Sequence, residues 1–258
     1  MIDGLSLPNA ITIVFIIVVS FSLVFYAYYS RVLDIGGSVL AFLICFISGT
    51  FGHWSWLLIL LLFVGSSFLA TRFAIVYKKA LGVEESDEGT RGGSNVISNG
   101  ILPPFIALTY SFGFLTPEQA LVAFTTSMAA ASADTMASEI GVLSPSPVLI
   151  TSPRKVVEPG VDGGISFEGL TASFLSAVSI SMLAYAGFIV LIEENHAFYS
   201  SIELNYLFIS AFFGFFGSII DSFLGATLQN KGFLSNNGVN FVSISISVLF
   251  SLLILVIF

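Results

Sequence analysis

The residues best suited to chemistry lie in one polar stretch of a largely apolar chain, between Ser127 and Gly169. Asp134 and Glu139 end an apolar run there, and a basic pair and a Gly/Ser-rich segment follow them. Ionisable groups inside a membrane segment are energetically expensive and usually mark a functional site. Acidic groups, basic groups and exposed backbone N–H groups are together what a metal–phosphate site requires. The stretch therefore predicts phosphate chemistry.

Other apolar runs carry polar residues to the same predicted membrane surface. Asp134 lies near the inner end of its run, and Asp221 lies near the inner end of another. Because a helix rises about 1.5 Å per residue, position along a run converts to depth in the membrane. Two asparagine pairs with the spacing i, i+4 begin two further runs: Asn95 with Asn99, and Asn236 with Asn240. Four helices thus present polar groups at one depth, although each asparagine alone could equally be a helix cap or an interhelical hydrogen bond.

The segment from Glu158 to Gly169 reads EPGVDGGISFEG, a composition that suits anion binding. Its glycines allow positive φ and close approach of the backbone to a ligand. Consecutive N–H groups can then bind an anion, helped by the dipole of a helix that begins near Ser166. The ending of a Walker A motif is absent, and taken alone the segment could be a simple turn. The residues that we assign here to phosphate binding are Gly160, Asp162, Gly163, Gly164 and Ser166.

Together these residues predict a magnesium–phosphate site. Asp134, Glu139 and Asp221 would hold Mg²⁺, a hard cation that prefers oxygen ligands. Arg154 and Lys155 would bind phosphate oxygens, although a role as topology determinants alone would also explain them, and Glu139 could simply be solvated at the interface. No Ser-His-Asp or Cys-His arrangement is available on this side of the membrane, which disfavours covalent hydrolase chemistry.

Composition identifies an integral membrane protein. Of the 258 residues, 56% are hydrophobic and 9% are charged, with a mean hydropathy of +0.99, whereas soluble domains carry about 25% charged residues. The net charge of −8 does not favour nucleic acid as a partner. Cys45 offers neither a disulfide nor a metal cluster, and His53 and His196 fall on the outer side, far from the acids. We expect one membrane domain over residues 1–258, with the site drawn mainly from residues 95–240.

Apolar runs long enough to cross a bilayer predict an all-α, polytopic helix bundle. The runs are Leu7–Tyr29, Trp54–Phe73, Asn95–Phe114, Pro117–Ile140, Gly169–Ile192, Leu204–Leu224 and Val239–Phe258. A shorter run, Leu33–Ser48, brings the predicted number of transmembrane helices to eight. If the N-terminus is outside, every Lys and Arg falls on the inner side of the membrane. The charged residues of the outer segments are then all acidic, among them Asp3, Glu193 and Glu194. The site would therefore face the cytoplasm, in what we expect to be the plasma membrane.

Short sequence blocks carry a resemblance to a known family. They are ASADTMASEIG (Ala131–Gly141), PGVDGGIS (Pro159–Ser166), DSFLGATLQ (Asp221–Gln229), NNGVN (Asn236–Asn240) and, more loosely, NVISNG (Asn95–Gly100). They resemble the integral-membrane family known as domain of unknown function 92, which includes transmembrane protein 19 and the chloroplast phytyl-phosphate kinase of tocopherol synthesis. Ser138 and Gln229, which lie in these blocks, are expected to bind the nucleotide or its phosphates. The asparagines at the helix ends could bind metal, phosphate or nucleotide, and we assign them to the same site: Asn95, Asn99, Asn236, Asn237 and Asn240.

The resemblance implies transfer of a phosphoryl group from a nucleoside triphosphate, with CTP favoured, to a prenyl monophosphate such as phytyl or geranylgeranyl phosphate. The prenyl chain would stay in the lipid bilayer. Two alternatives remain open: a lipid-phosphate cytidylyltransferase, which would use the same ligands but attack the α-phosphorus, and a secondary transporter with Asp134 and Asp221 as an ion relay. Transport sites usually lie near the membrane midplane. The predicted depth of the two acids, close to one surface, favours the enzyme.

Overall fold

The computed structural model describes residues 8–82, 90–190 and 203–257. The expectations for Asp3, Glu193, Glu194 and His196, and the outermost ends of three predicted spans, lie outside these residues. Within them the chain is mostly helical, as the apolar runs predict.

The first half of the described chain consists of helices joined by short connections. They are α1 (Ala10–Tyr29), α2 (Ile35–Ile47), α3 (Trp56–Arg72), α4 (Ile75–Leu81), α5 (Gly93–Gly100) and α6 (Leu102–Ser111). The predicted span from Asn95 to Phe114 is therefore two helices rather than one. The break falls at Ile101, ahead of Pro103 and Pro104, because proline has no N–H to continue the helical hydrogen bonds. A π-helical turn, Ser48–Gly52, lengthens α2 at its end.

The second half contains the longest helices. They are α7 (Pro117–Gly141), α8 (Phe167–Val190), α9 (Leu204–Leu224) and α10 (Asn236–Ile257), and a π-helical turn, Gly225–Gln229, extends α9. Among the described residues, five helices are long and apolar enough to cross a membrane: Ala10–Tyr29, Ile35–Gly52, Phe167–Gly187, Leu204–Gln229 and Asn236–Ile257. The apolar helix α3 is shorter. A total of eight spans and an outside N-terminus stay predictions.

Helix α7 is the centre of the bundle. Every residue from Ala120 to Ala133 is buried, and the helix packs against α3, α6, α8, α9 and α10. Small residues permit this close packing, because a Cβ added at Gly214 of α9 would lie 2.5 Å from Ala129 Cβ. Since α7 faces protein on all sides, it does not need the strongly apolar surface of a lipid-facing helix. It can therefore carry polar residues at membrane depth.

A small antiparallel sheet interrupts the helices between α7 and α8. Its strands are β1 (Val148–Leu149), β2 (Ser152–Val156) and β3 (Gly164–Ile165), in the order β2–β1–β3. The predicted all-α class is therefore right for the bundle and wrong for this segment. The hydrophobic pattern gave no signal for it, since two of the strands have only two residues each. The sheet matters because β2 and β3 fix the two ends of residues 157–164, which we call the Gly-rich loop.

Candidate active site

A polar cavity of about 270 Å³ lies where α7, α9 and α10 approach the Gly-rich loop. Most of the residues predicted for the site line it. They are Asp134, Ser138, Glu139, Gly160, Asp162, Gly163, Gly164, Ser166, Asp221, Gln229, Asn236 and Asn240. We refer to this space as the polar cavity. The structure thus brings together side chains that are more than one hundred residues apart in the sequence.

Asp134 of α7 and Asp221 of α9 form the centre of the polar cavity. Their side chains are within hydrogen-bonding distance of each other, and Asp162 lies close enough to interact electrostatically with Asp221. Ser243 Oγ donates to Asp221 Oδ2 at 2.9 Å. Two carboxylates this close repel each other unless they share a proton or a cation. The pair is therefore a natural site for a positive charge.

Asn240 of α10 is hydrogen-bonded to Asp221 of this pair. Its amide is best oriented with the nitrogen donating to Asp221 Oδ2 at 3.2 Å and to the Asn236 carbonyl at 3.0 Å. The Asn240 oxygen then accepts from Asn99 Nδ2 at 3.3 Å. The i, i+4 asparagines of α5 and α10 therefore meet each other, as interhelical hydrogen bonds between membrane helices commonly do.

The Gly-rich loop forms the opposite wall. Gly160 and Gly163 have φ of 85° and 78°, the left-handed region that favours glycine. A Cβ on Gly163 would lie 2.3 Å from Ala226 Cβ, so only glycine allows the loop to rest on the π-helical turn after α9. The Gly164 N–H donates to Val161 O at 2.8 Å and closes the turn. That N–H group is therefore already hydrogen-bonded within the loop and does not contribute to the predicted anion-binding nest.

Two side chains couple the loop to the helices. The Asp162 carboxyl is hydrogen-bonded to the side chain of Gln229. Partial burial raises the pKa of Asp162 above its usual value, and the hydrogen bond with Gln229 opposes that rise. Ser166 Oγ accepts from the Gly169 N–H at 3.1 Å, which caps the start of α8 as the sequence suggested.

Glu139 lines the polar cavity, but its carboxylate is hydrogen-bonded to side chains of α3 and α4. Glu139 Oε2 lies 2.6 Å from Lys78 Nζ of α4, and Glu139 Oε1 accepts from the hydroxyl of Thr71. In the described parts of the chain, no group of three or more His, Cys, Asp or Glu side chains is placed so that it could hold a metal ion. The three-carboxylate site expected from the sequence is thus not assembled, and the structure groups only the two aspartates at its centre.

Comparison with known proteins places this site in a family. The sequence profile described as "Integral membrane protein DUF92" matches residues 18–248, which include every residue of the polar cavity. The chain belongs to the DUF92 family. No solved structure matches this DUF92 protein.

Relatives of this DUF92 chain occur in archaea and plants. An uncharacterized membrane protein of Methanocaldococcus jannaschii is 33% identical over 83% of this chain and 82% of its own length. Protein PGR of Arabidopsis thaliana is 29% identical over 90% of this chain and 92% of its own length. The chloroplastic protein VTE6 of Arabidopsis thaliana is 27% identical over 71% of this chain, but only 54% of its own length is covered.

Several predicted site residues of the DUF92 chain do not reach the polar cavity. Arg154 and Lys155 are exposed on β2, a strand that pairs with β1 along one edge only. Asn237 accepts from Ser98 Oγ at 3.3 Å and thereby joins α10 to α5. Asn95 and Asn99 line a separate, mostly apolar space between α2, α3, α5 and α7. The sequence predicts one depth for all these residues, but depth alone does not give the direction in which a side chain points.

Sequence reasoning missed the partners of Glu139 in this DUF92 protein. Lys78 is 1% exposed, and its ammonium group also donates to the Ala70 carbonyl at 2.9 Å. The Arg91 guanidinium lies 3.9 Å from Glu139 Oε1. From the sequence, both cations indicate only the inner side of the membrane. No pattern in the sequence separates the buried Lys78 from the exposed Lys79 beside it.

Proposed function

We propose that this protein is a prenyl-phosphate kinase. It transfers a phosphoryl group from a nucleoside triphosphate, with CTP the favoured donor, to a prenyl monophosphate at the cytoplasmic surface of the membrane. The family that its sequence motifs resemble includes a chloroplast phytyl-phosphate kinase. The observation that carries the proposal is the pairing of Asp134 with Asp221 in a polar cavity faced by the Gly-rich loop.

The donor set at the centre of the polar cavity fits Mg²⁺. Mg²⁺ usually keeps several waters and binds through one or two carboxylates plus the phosphates of a substrate. Asp134 and Asp221 are two carboxylates in contact, and a divalent cation between them would offset their mutual repulsion. When bound, the metal would neutralise the negative charge of the donor phosphates. Glu139 forms an ion pair with Lys78 and would not be one of the metal ligands.

The remaining residues of the polar cavity would position the donor. The Gly-rich loop offers a close approach for phosphate oxygens near Gly160 and Gly163, where side chains are absent. Gln229 and Asn236 line the same space and provide side-chain amides that can bind phosphate or nucleotide groups. Arg154 and Lys155 stay outside this arrangement.

The chemistry requires no general base. An ionised oxygen of the prenyl monophosphate attacks the γ-phosphorus, the bond to the β–γ bridging oxygen breaks, and its electron pair leaves with the nucleoside diphosphate. The products are a prenyl diphosphate and a nucleoside diphosphate. In such transfers catalysis rests almost entirely on positioning and charge stabilisation. A cavity lined by carboxylates, side-chain amides and a glycine loop is suited to that task.

The test is an assay of the purified protein in detergent micelles. Phytyl or geranylgeranyl monophosphate and Mg²⁺ are supplied with CTP, UTP, ATP or GTP in parallel, and products are identified by mass spectrometry. We expect prenyl diphosphate and nucleoside diphosphate in equal amounts, with CTP the best donor. Folded protein that forms no product with any donor would contradict the proposal.

The same assay separates the two alternative functions. A cytidylyltransferase would release pyrophosphate and form a CDP-prenyl product. A transporter would form neither product, and in liposomes it would move ions in response to a substrate without nucleotide.

A further inference from the structure

One hydrogen bond of the polar cavity joins the side chain of Asp162, in the Gly-rich loop, to that of Gln229, at the end of the π-helical turn after α9. Both residues line the cavity. Burial raises the pKa of Asp162, and this hydrogen bond opposes the rise, so the bond stabilises the ionised carboxylate. An ionised carboxylate has no hydrogen to donate, and the donor is therefore Nε2 of the Gln229 amide.

The backbone around this contact holds both partners in place. Asn230 Nδ2 donates to the carbonyl oxygen of Asp162 at 3.4 Å. A Cβ added at Gly225 would lie 3.8 Å from Asp162 Cβ, so the aspartate side chain starts against the π-helical turn. Gly163 rests on Ala226 of the same turn. The Gly-rich loop and the turn therefore position the carboxylate and the amide relative to each other.

An amide held in this way has a fixed direction. The Gln229 amide carries two N–H donors and one carbonyl oxygen. Asp162 accepts from one N–H, which leaves the second N–H and Oε1 for a ligand in the cavity. If the amide were flipped, Oε1 would face the Asp162 carboxylate, and two acceptors would oppose each other without a proton between them. Gln229 is therefore not free to exchange the positions of its donor and its acceptor.

The remaining donor and acceptor of Gln229 match the pairing edge of cytosine. Cytosine places an amino group, which donates, beside the ring nitrogen N3, which accepts. The amino group would donate to Gln229 Oε1 while the free N–H of Gln229 donates to N3. Uracil has the reverse order, a carbonyl oxygen beside a ring N–H, and would need the flipped amide. Because Asp162 opposes that flip, the pair favours a pyrimidine with an amino group over one with a carbonyl group.

The position of Gln229 suits a base better than a phosphate. It lies eight residues after Asp221, about 12 Å farther along α9 and its π-helical extension. If the donor phosphates lie at Asp134 and Asp221, the ribose spans the distance from them to the base. The nearby Asp162 carboxylate would repel a phosphate but not a neutral ring. The polar cavity has about 270 Å³, more than a cavity of about 150 Å³ that binds benzene, a ring of similar size to a pyrimidine.

We propose that Gln229 and Asp162 form a nucleobase subsite that selects cytosine over uracil in the nucleotide. Gln229 contacts the base, and Asp162 is a positioning residue that fixes the direction of the Gln229 amide. The identity of the bound nucleotide as a phosphoryl donor rests on the proposed kinase function. Recognition of the base does not depend on the transfer step, so it is measured separately.

The direct test is nucleotide binding to the wild-type protein in micelles, with Mg²⁺ and without any prenyl monophosphate. Equilibrium dialysis gives dissociation constants for CTP, for UTP and for the triphosphate of pyrimidin-2-one riboside, which is cytidine without its amino group. We expect CTP to bind about tenfold more tightly than each of the others, the usual effect of one hydrogen bond. Equal affinity for CTP and the pyrimidinone analogue would overturn the subsite.

Two variants and a matched control assign the preference to these residues. Gln229→Met keeps the length of the side chain without its hydrogen-bonding groups, so CTP should bind no better than the pyrimidinone analogue. Asp162→Asn should remove the preference for CTP over UTP, because an asparagine amide accepts either orientation of Gln229. Glu158→Gln removes an exposed charge from the same loop and should leave all the dissociation constants unchanged.

The ratio of the affinities is the readout, because a general loss of structure would weaken binding of every nucleotide together. A preference for CTP that survives Gln229→Met would refute the contact with the base. An equal loss of preference in Glu158→Gln would refute the positioning role of Asp162. If a variant does not fold, the comparison of CTP with the pyrimidinone analogue on the wild type still decides.

The outcomes separate this inference from the proposed function. Prenyl diphosphate formation by a protein that binds CTP and the pyrimidinone analogue equally would refute the subsite and leave the kinase intact. Selective binding of CTP that is lost in Gln229→Met, without product from any donor, would support the subsite and refute the kinase.

Discussion

Lys78 Nζ of α4 lies 2.6 Å from Glu139 Oε2 of α7, and the two side chains are 1% and 5% exposed. This ion pair ties a short helix at the predicted inner surface to the last turns of the central helix. Removal of one partner from such a pair leaves a buried charge without compensation. The pair therefore holds Glu139 away from the two aspartates.

The first prediction concerns the stability of this pair. Lys78→Met should lower the free energy of unfolding by about 3–5 kcal/mol, because Glu139 loses its closest cation in a buried site. The measurement is reversible unfolding in mixed micelles. Lys79→Met is the control, since Lys79 is exposed, and it should change stability by less than about 0.5 kcal/mol. The double variant Lys78→Met/Glu139→Met should recover most of this loss. A double variant whose loss of unfolding free energy equals the sum of the losses in the two single variants would contradict a direct pair.

The second prediction concerns the two aspartates of the polar cavity. Asp134→Asn and Asp221→Asn should each reduce the turnover rate by a factor of about 10² to 10³, as expected for removal of one preorganised charged group. Both should also raise the Mg²⁺ concentration needed for half-maximal rate. Stability should stay equal or increase, because each change removes repulsion between neighbouring carboxylates. Glu118→Gln, in the first turn of α7 and far from the pair, is the control for Asp134→Asn. Full activity of either asparagine variant would refute the metal site.

The third prediction concerns the contact between the Gly-rich loop and the turn after α9. Gly163→Ala should raise the Michaelis constant for the nucleotide at least tenfold, because the new Cβ would overlap Ala226 and push the loop away. Gly232→Ala is a matched control: its φ of +75° imposes a similar backbone strain, but no atom lies within 4 Å of the added Cβ. Comparable kinetic losses in both variants would mean that backbone strain, and not the contact, is responsible.

The fourth prediction concerns the basic pair on β2. Arg154→Gln/Lys155→Gln should change the turnover rate by less than about threefold, because both side chains are exposed and neither lines the polar cavity. Steady-state kinetics with saturating nucleotide measures this. A loss as large as that of Asp134→Asn would instead indicate that β2 moves over the cavity when substrates bind.

Part of the fold could be predicted because hydrophobic length is a local property. The predicted span Leu204–Leu224 has the same bounds as α9, and Pro117–Ile140 differs from α7 by one residue. The break between α5 and α6 was missed although its cause, two adjacent prolines, was visible. The short strands β1 and β3 left no hydrophobic pattern to detect, because two residues are too few for a period.

The sequence by itself determined that this is a membrane helix bundle, and it predicted that polar residues of several helices lie at one depth. It did so because apolar length and position along a helix translate directly into membrane depth. Only the tertiary structure decided which of those residues face each other. Asp134 and Asp221 meet in the polar cavity, whereas Glu139 pairs with Lys78 and Asn99 is hydrogen-bonded to Asn240. The direction of a side chain depends on how the helices are rotated and packed around α7, and that rotation is set by contacts between residues that are distant in the chain.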